Sequence, residues 1–345
     1  MQERLENELT KIFKAITILS PTSFSFAGQI APVLDPGTQQ MPDSSLSDNS
    51  LVRQLQLHLY QYCYVRRFDG ELQPQQSVDI QPDNLLQSLS EANTSRDQWD
   101  SGWQIHRLLP SGQILAHKHG LIRLLWAGEF INTEGPGMSP KEGANITIFV
   151  PRESRTIQPG FYFAFGEAVT DQQDDYSVLR FYWHIDGANV AKLVRLITQS
   201  LNRFQVPYRL KCPNNLALYQ RIDATVLYIS RRFYRITAEL LKDVHREIQI
   251  SLKPETPLFT KRIAHGLAVA EDPGNGESFG MHRCRIVAEA IWQVYTQGSQ
   301  TEQARLEEVA SKFASYGLSV NQPYLNPRSE DQYDEWQTSQ YEPKE

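Results

Sequence analysis

The apolar residues change their period at Trp103, and that change limits the folds open to the chain. Before it, Leu5, Leu9, Ile12, Phe13 and Ile16 recur at the three-and-four spacing of one helix face. Helices are predicted over residues 5–19, 51–65 and 83–93, with Asp83 capping the third. Residues 21–49 and 69–81, rich in turn-forming residues, read as connections. From Trp103 onward, alternating aromatic and β-branched residues predict strands over 103–109, 113–119, 121–126, 145–150, 160–165 and 177–185. Two more strands, 206–212 and 224–229, fall among helices predicted at 187–204, 232–248, 281–295 and 303–316. The implied class is α+β, a mainly antiparallel sheet packed with helices and preceded by a helical N-terminal region. We divide the chain into helical residues 1–100, an α+β domain at 101–318, and a tail at 319–345 whose composition predicts disorder.

With 345 residues, 40% of them hydrophobic, a large core is within reach. No run approaches the roughly 20 apolar residues that cross a bilayer, and Glu3, Glu6 and Glu8 break any signal-peptide pattern. Cys63, Cys212 and Cys284 are too far apart for a disulfide framework or a zinc site. A cytoplasmic protein without membrane attachment is expected. Its net charge of −6 is unevenly spread. Between Arg180 and Arg262, fifteen Lys and Arg face six Asp and Glu, a local +9 that leaves −15 elsewhere. A confined basic region in an acidic protein suits a compact anion better than nucleic acid, which needs a broad basic face.

Four clusters carry chemistry. In His117-Lys118-His119, alternation puts the lysine on one strand face and both histidines on the other, unless all three simply end a solvated strand. In Tyr208-Arg209-Leu210-Lys211, the two cations share a face, close to Arg221 and Asp223. Asp223 pairs with Lys211 or Arg221 as a structural bridge, or the group is an anion site. Arg180, amid Val178 to Trp183, either faces a cavity or partner or snorkels outward. The fourth cluster joins Lys261 to the Gly-rich run ending in His282 and Arg283. Free backbone N–H groups and a helix start there favour an anion, and cations at that end are unfavourable for the helix dipole. Gly276-Glu277-Ser278-Phe279-Gly280 spells G-x-S-x-G, but no strand leads into it and the only later His is His282, one turn away, which excludes a nucleophile elbow. Cys284 lacks the C-x5-R loop of a cysteine phosphatase.

The run from Thr256-Pro257-Leu258-Phe259-Thr260-Lys261 to Gly280-Met281-His282-Arg283-Cys284-Arg285 resembles the signature of the HopA-type family. The blocks Tyr208 to Lys211 and Tyr219 to Tyr228 resemble two further parts of it, so the similarity covers roughly residues 103–295. That family groups a plant-pathogen type III effector with bacterial lyases of class V lanthipeptide and thioamide-peptide biosynthesis. The resemblance implies an α+β domain and elimination of phosphate from phosphoserine or phosphothreonine, leaving a dehydroamino acid in a peptide. A phosphorylated peptide and the kinase that makes it are the implied partners. Typical phosphothreonine lyases carry K-x-H on a strand; here Lys118 and His119 adjoin.

Such an elimination needs a base for the Cα proton and neutralisation of the leaving dianion. A lysine serves as base once burial and neighbouring cations depress its pKa. We expect Lys118 or Lys211 as base, His282 as acid, and Arg180, Arg221, Lys261 and Arg283 as the phosphate clamp. Lys211, Arg221 and His282 should then line one pocket, with the first hundred residues serving stability or peptide binding. No metal or organic cofactor is called for. The competing expectation is a non-enzymatic, effector-like module that binds a phosphorylated or acidic partner.

Overall fold

The computed structural model describes residues 2–32, 49–72, 84–135 and 137–336, the side chains of Gln2, Glu3 and Pro32 excepted. Helix α1 (Gln2–Ala15) turns directly into a three-stranded meander, β1 (Ile16–Ser20), β2 (Ser23–Phe26) and β3 (Gln29–Pro32). This corrects the helix predicted to continue to 19 and the connection predicted from 21. Ile16 and Ile18 are buried while Thr17 is exposed, a period of two that places Ile16 and Ile18 on the core face with Phe24 and Phe26. Helix α2 (Ser50–Leu59) is capped by Asn49 and ends in a π-helical turn, Tyr60–Tyr64. Helix α3 (Leu85–Ala92) follows; the cap expected at Asp83 lies outside the described residues.

Five strands then form an antiparallel sheet: β4 (Gln98–Leu108), β5 (Ile114–Lys118), β6 (Leu121–Leu125), β7 (Phe130–Asn132) and β8 (Asn145–Val150), in the order β6-β5-β4-β8-β7. Its one buried face forms a core of its own around Trp103, Ile105, Ala116 and Ile146.

The larger sheet has seven strands: β9 (Glu153–Ser154), β10 (Phe161–Phe165), β11 (Val178–Trp183), β12 (Arg209–Pro213), β13 (Thr225–Ser230), β14 (Lys261–Ala264) and β15 (Leu267–Glu271). Their order is β14-β15-β11-β13-β12-β10-β9, antiparallel throughout. The hairpin β14–β15 lies where the density of Pro and Gly predicted only a loop. Strand β15 is buried on both faces, so it shows no alternation, and His265-Gly266 makes the turn. A Cβ on Gly266 would lie 2.5 Å from the Lys253 carbonyl oxygen, so glycine is required there.

Helices α4 (Val190–Arg203) and α5 (Tyr234–Ile248) pack together, and α5 covers one face of this sheet, stacking Tyr234 on Phe181 at 6.2 Å. On the other face, Tyr182 meets Phe279 at the start of α6 (Phe279–Thr296), and Phe279 meets Tyr64 of the π turn. A Cβ on Gly280 would come within 2.3 Å of the Tyr64 ring, so this close approach also depends on a glycine. Helix α7 (Glu302–Ser315) packs on α6 and α1.

The N-terminal helices do not stand apart. One apolar cluster runs from Leu5 to Tyr333, and Gln56 on α2 donates to Glu277 and to the Met281 carbonyl. Nor is the segment after Val320 loose as predicted: Tyr324, Leu325 and Tyr333 are buried, and Tyr333 donates to the buried Glu271 at 2.7 Å. Buried aromatic area, each side chain contributing roughly 1.5–3 kcal/mol, outweighs the polar composition there. Residues 337–345 of the expected tail lie outside the described residues.

Candidate functional site

Antiparallel register builds the site on the sheet face opposite α5. Arg180 on β11 pairs with Tyr228 on β13, and Tyr228 pairs in turn with Arg209 on β12. Two residues along, Lys211 lies between Val226 on β13 and Phe163 on β10. All of these side chains fall on one face, because positions two apart on a strand share a side. Two guanidiniums from non-adjacent strands thus lie against one tyrosine, with Lys211 two residues along the same face.

The ammonium of Lys211 lies 3.9 Å from the Phe161 ring centroid and 6.0 Å from that of Phe163. Among the described residues it has no ion-pair partner: Asp223 instead binds Arg221, Nε to Oδ1 at 2.9 Å and Nη2 to Oδ2 at 3.0 Å. Burial lowers the Lys211 pKa to about 8; Asp223 opposes that shift, while Arg221, Arg180 and Arg209 reinforce it. The amine is therefore partly neutral near physiological pH.

The arginines are held in two ways. Arg180 donates to Asp272 through Nε at 2.7 Å and through Nη2, and its guanidinium lies 5.3 Å from the Tyr228 ring. The outward snorkel considered from sequence is not what it does. Arg221 also donates to the Tyr60 hydroxyl at 2.9 Å, so the π turn of the N-terminal region forms part of the wall. Nη1 of Arg221 has no hydrogen bond among the described residues, whereas the Arg180 guanidinium also interacts with the buried Tyr182 hydroxyl. The carboxylates fix each guanidinium plane, and that of Arg221 keeps an edge for a ligand. Arg209 is exposed, lies 4.5 Å over the Tyr228 ring, and has no ion pair among the described residues. Burial raises the Tyr228 pKa, so the phenol stays protonated. Arg209 and Tyr228 also line a cleft of about 520 Å³ between the two sheets.

The site thus joins Lys211, Arg180 and Arg221. The other expected residues lie elsewhere. Lys118 belongs to the five-stranded sheet, where its ammonium binds Asp100 at 2.5 Å beside Trp103. Lys261 binds Asp331 at 2.6 Å on the wall of a different cavity. Arg283 is fully buried and donates to the carbonyls of Pro323 at 2.7 Å and Leu325 at 3.0 Å, which fastens the C-terminal segment to α6. His282 does not face Lys211. Its Nδ1 accepts from Arg283 at 2.6 Å and its ring meets Tyr316. Burial, then Arg283 and Arg285, lower its pKa to about 3, so the imidazole is neutral.

Sequence reasoning did not select Arg209 and Tyr228. The signal for Arg209 was present, since it shares a strand face with Lys211; Tyr228 emerges only from the register of β11, β12 and β13.

The profile of the HopA1 effector protein family matches residues 152–325. Among solved structures, the effector protein from Pseudomonas syringae pv. tomato strain DC3000 is similar at 14% identity and a TM-score of 0.46, over 94% of this chain and 97% of that one. The effector protein from Pseudomonas syringae pv. syringae strain 61 is similar at 14% identity and a TM-score of 0.42, over 79% and 89%. No curated protein matches by sequence. The matched residues span half of the chain and include the whole seven-stranded sheet, from Glu153 in β9 to Glu271 in β15. The chain belongs to the HopA1 effector protein family.

Proposed function

We propose that this protein is a carbon–oxygen lyase that eliminates phosphate from phosphoserine or phosphothreonine in a peptide, with Lys211 as the base. The observation that carries the reading is a half-buried lysine with no carboxylate partner, its pKa lowered to about 8, set among Arg180, Arg209 and Arg221. In the reaction, the neutral Lys211 amine takes the Cα proton. The electron pair of that bond forms the Cα=Cβ double bond, and the Cβ–O bond breaks with its electrons leaving on phosphate. The arginines hold the leaving dianion through the free edge of Arg221, the Arg180 guanidinium and the exposed Arg209. Tyr228, protonated and flanked by two of them, is placed to give its proton to the leaving oxygen as the Cβ–O bond breaks, so that phosphate departs as the hydrogen-phosphate dianion and the phenol regains its proton from water. The products are a dehydroamino acid, inorganic phosphate and a lysine ammonium that returns its proton to water. Lys118, Lys261, His282 and Arg283 have no part in this scheme.

Incubation with phosphoserine and phosphothreonine peptides, followed by mass measurement, tests it. Elimination yields a peptide lighter by one water than the unphosphorylated form. Recovery of the plain Ser or Thr peptide would mean hydrolysis and end the proposal. A second reading, a module that binds a phosphorylated partner without reacting, is favoured by Arg180 and Arg221 being already paired with carboxylates. Tight phosphopeptide binding without any change of mass would establish it instead.

A further inference from the structure

Ile222 lies between Arg221 and Asp223 in sequence but faces the other way. It closes one side of a cavity of about 620 Å³ built from α1, the residues after the π turn, residues 255–262 and residues 320–335. The floor is apolar, with Leu5, Ile12, Phe68, Ile222 and Phe259 all buried. The wall carries five Lys and Arg and four Asp and Glu. Arg67 with Glu8 at 3.1 Å, and Lys261 with Asp331 at 2.6 Å, neutralise two of each. Glu255 lies 3.5 Å from His184, and Glu335 stands at the rim. Arg4, Arg66 and Arg262 have no carboxylate partner among the described residues.

The wall at 255–262 is also held in an unusual shape. Phe259 has φ of +70°, a conformation that bulky side chains avoid, and its buried ring lies 6.3 Å from Phe313. Strain of this kind persists where the surroundings over-determine it and recurs at ligand sites. A wall fixed beforehand also lowers the entropy lost when a ligand binds.

We propose that this cavity is a second binding site, distinct from the Lys211 site, that takes a short acidic peptide segment anchored by apolar side chains. The three guanidiniums that have no carboxylate partner among the described residues come from three separate parts of the chain and line the cavity with its apolar floor. Each offers the planar fork that matches a carboxylate. A small inorganic anion would leave the apolar floor uncovered, and a cavity of this size admits a few side chains, as peptide and ligand pockets do. The proposal does not depend on Lys211 being catalytic.

Fluorescence anisotropy on the full chain tests it with a labelled peptide rich in Glu and Leu, and with a counterpart carrying Gln for every Glu. The Glu peptide should bind with salt-sensitive affinity, the Gln peptide at least about tenfold more weakly. Arg4→Glu and the double variant Arg66→Glu/Arg262→Glu should each weaken binding by about tenfold or more. Lys211→Met should bind as the parent does, and inorganic phosphate should not displace the peptide. Thermal melts establish that each variant is folded. Equal binding of the Gln peptide, absence of binding, or insensitivity to both charge reversals would overturn the proposal. So would displacement by phosphate or loss of binding in Lys211→Met, either of which would move the binding to the Lys211 site.

Discussion

The ammonium of Lys211 lies 3.9 Å from the centre of the Phe161 ring, while the nearby carboxylate, Asp223, is held by Arg221. An amine in that setting is less stable charged than in water. Replacing Lys211 by Met should therefore have opposite effects on two measurements. Phosphopeptide elimination should fall by about 10²- to 10⁴-fold. Stability at pH 7, read from urea unfolding, should rise by about 1–3 kcal/mol.

The pH dependence of that stabilisation has a definite sign. The Lys211 pKa is about 8 in the folded chain against 10.5 for an ordinary lysine, so the folded state binds fewer protons between those values. Stability of the parent is lowest below pH 8 and gains as pH rises towards 10.5. The advantage of Lys211→Met should accordingly shrink over that window. Unfolding midpoints at pH 7 and pH 10 check it; an advantage that grew with pH would contradict the assigned environment.

A base with its pKa near 8 also shapes the rate profile. Along its acidic limb kcat/KM should rise with pH and level off above about pH 8. Arg209 is one of the cations that lower this pKa, and it is exposed and without an ion pair among the described residues. Arg209→Gln leaves no buried charge unpaired. It should shift the limb to higher pH and raise KM for the phosphopeptide, while circular dichroism stays unchanged.

Much of this arrangement was legible in the sequence, and its limits are physical. Two cations two residues apart, Arg209 and Lys211, must share a strand face, and the shift of period at Trp103 pointed to an α+β fold. What local pattern does not encode is which sheet a strand joins. Lys118 and Lys211 look alike on their own strands, yet one meets Asp100 and the other faces Arg180 and Arg221. Strand β15 escaped because a strand buried on both faces has no alternation to detect. The roles of His282 and Arg283 were misplaced because a helix start exposes backbone donors only if nothing covers it. Here the segment around Pro323 to Leu325 covers Arg283.

That covering role separates Arg283 from a phosphate clamp. Its guanidinium satisfies the Pro323 and Leu325 carbonyls from a fully buried position. Arg283→Met keeps the volume but leaves those acceptors without their donor, which should cost on the order of 3 kcal/mol in urea unfolding. Elimination per folded molecule should change little. A large drop in kcat with unaltered stability would return Arg283 to the anion site.

The C-terminal segment holds the other end of this sheet. Glu271, fully buried on β15, accepts from Tyr333 Oη at 2.7 Å, the Asn326 N–H at 2.8 Å and Ser329 Oγ at 2.6 Å, and pairs with Arg231 at 3.1 Å. Ending the chain at residue 318 would strip three of those partners and expose the Tyr234 ring that Tyr333 helps to cover. Depriving a buried carboxylate of its partners costs about 3–5 kcal/mol, and lost aromatic burial adds to it. Against a total stability of about 5–15 kcal/mol, the truncated chain should be largely unfolded or insoluble at 37 °C. Tyr333→Phe isolates one part of that effect, since it removes a single hydroxyl and keeps the ring. It should lower stability by about 1–2 kcal/mol, with a clear fall in the urea midpoint and no change in slope. An unchanged midpoint would mean that Arg231 and the remaining donors suffice for Glu271, and that the segment is held by apolar packing alone.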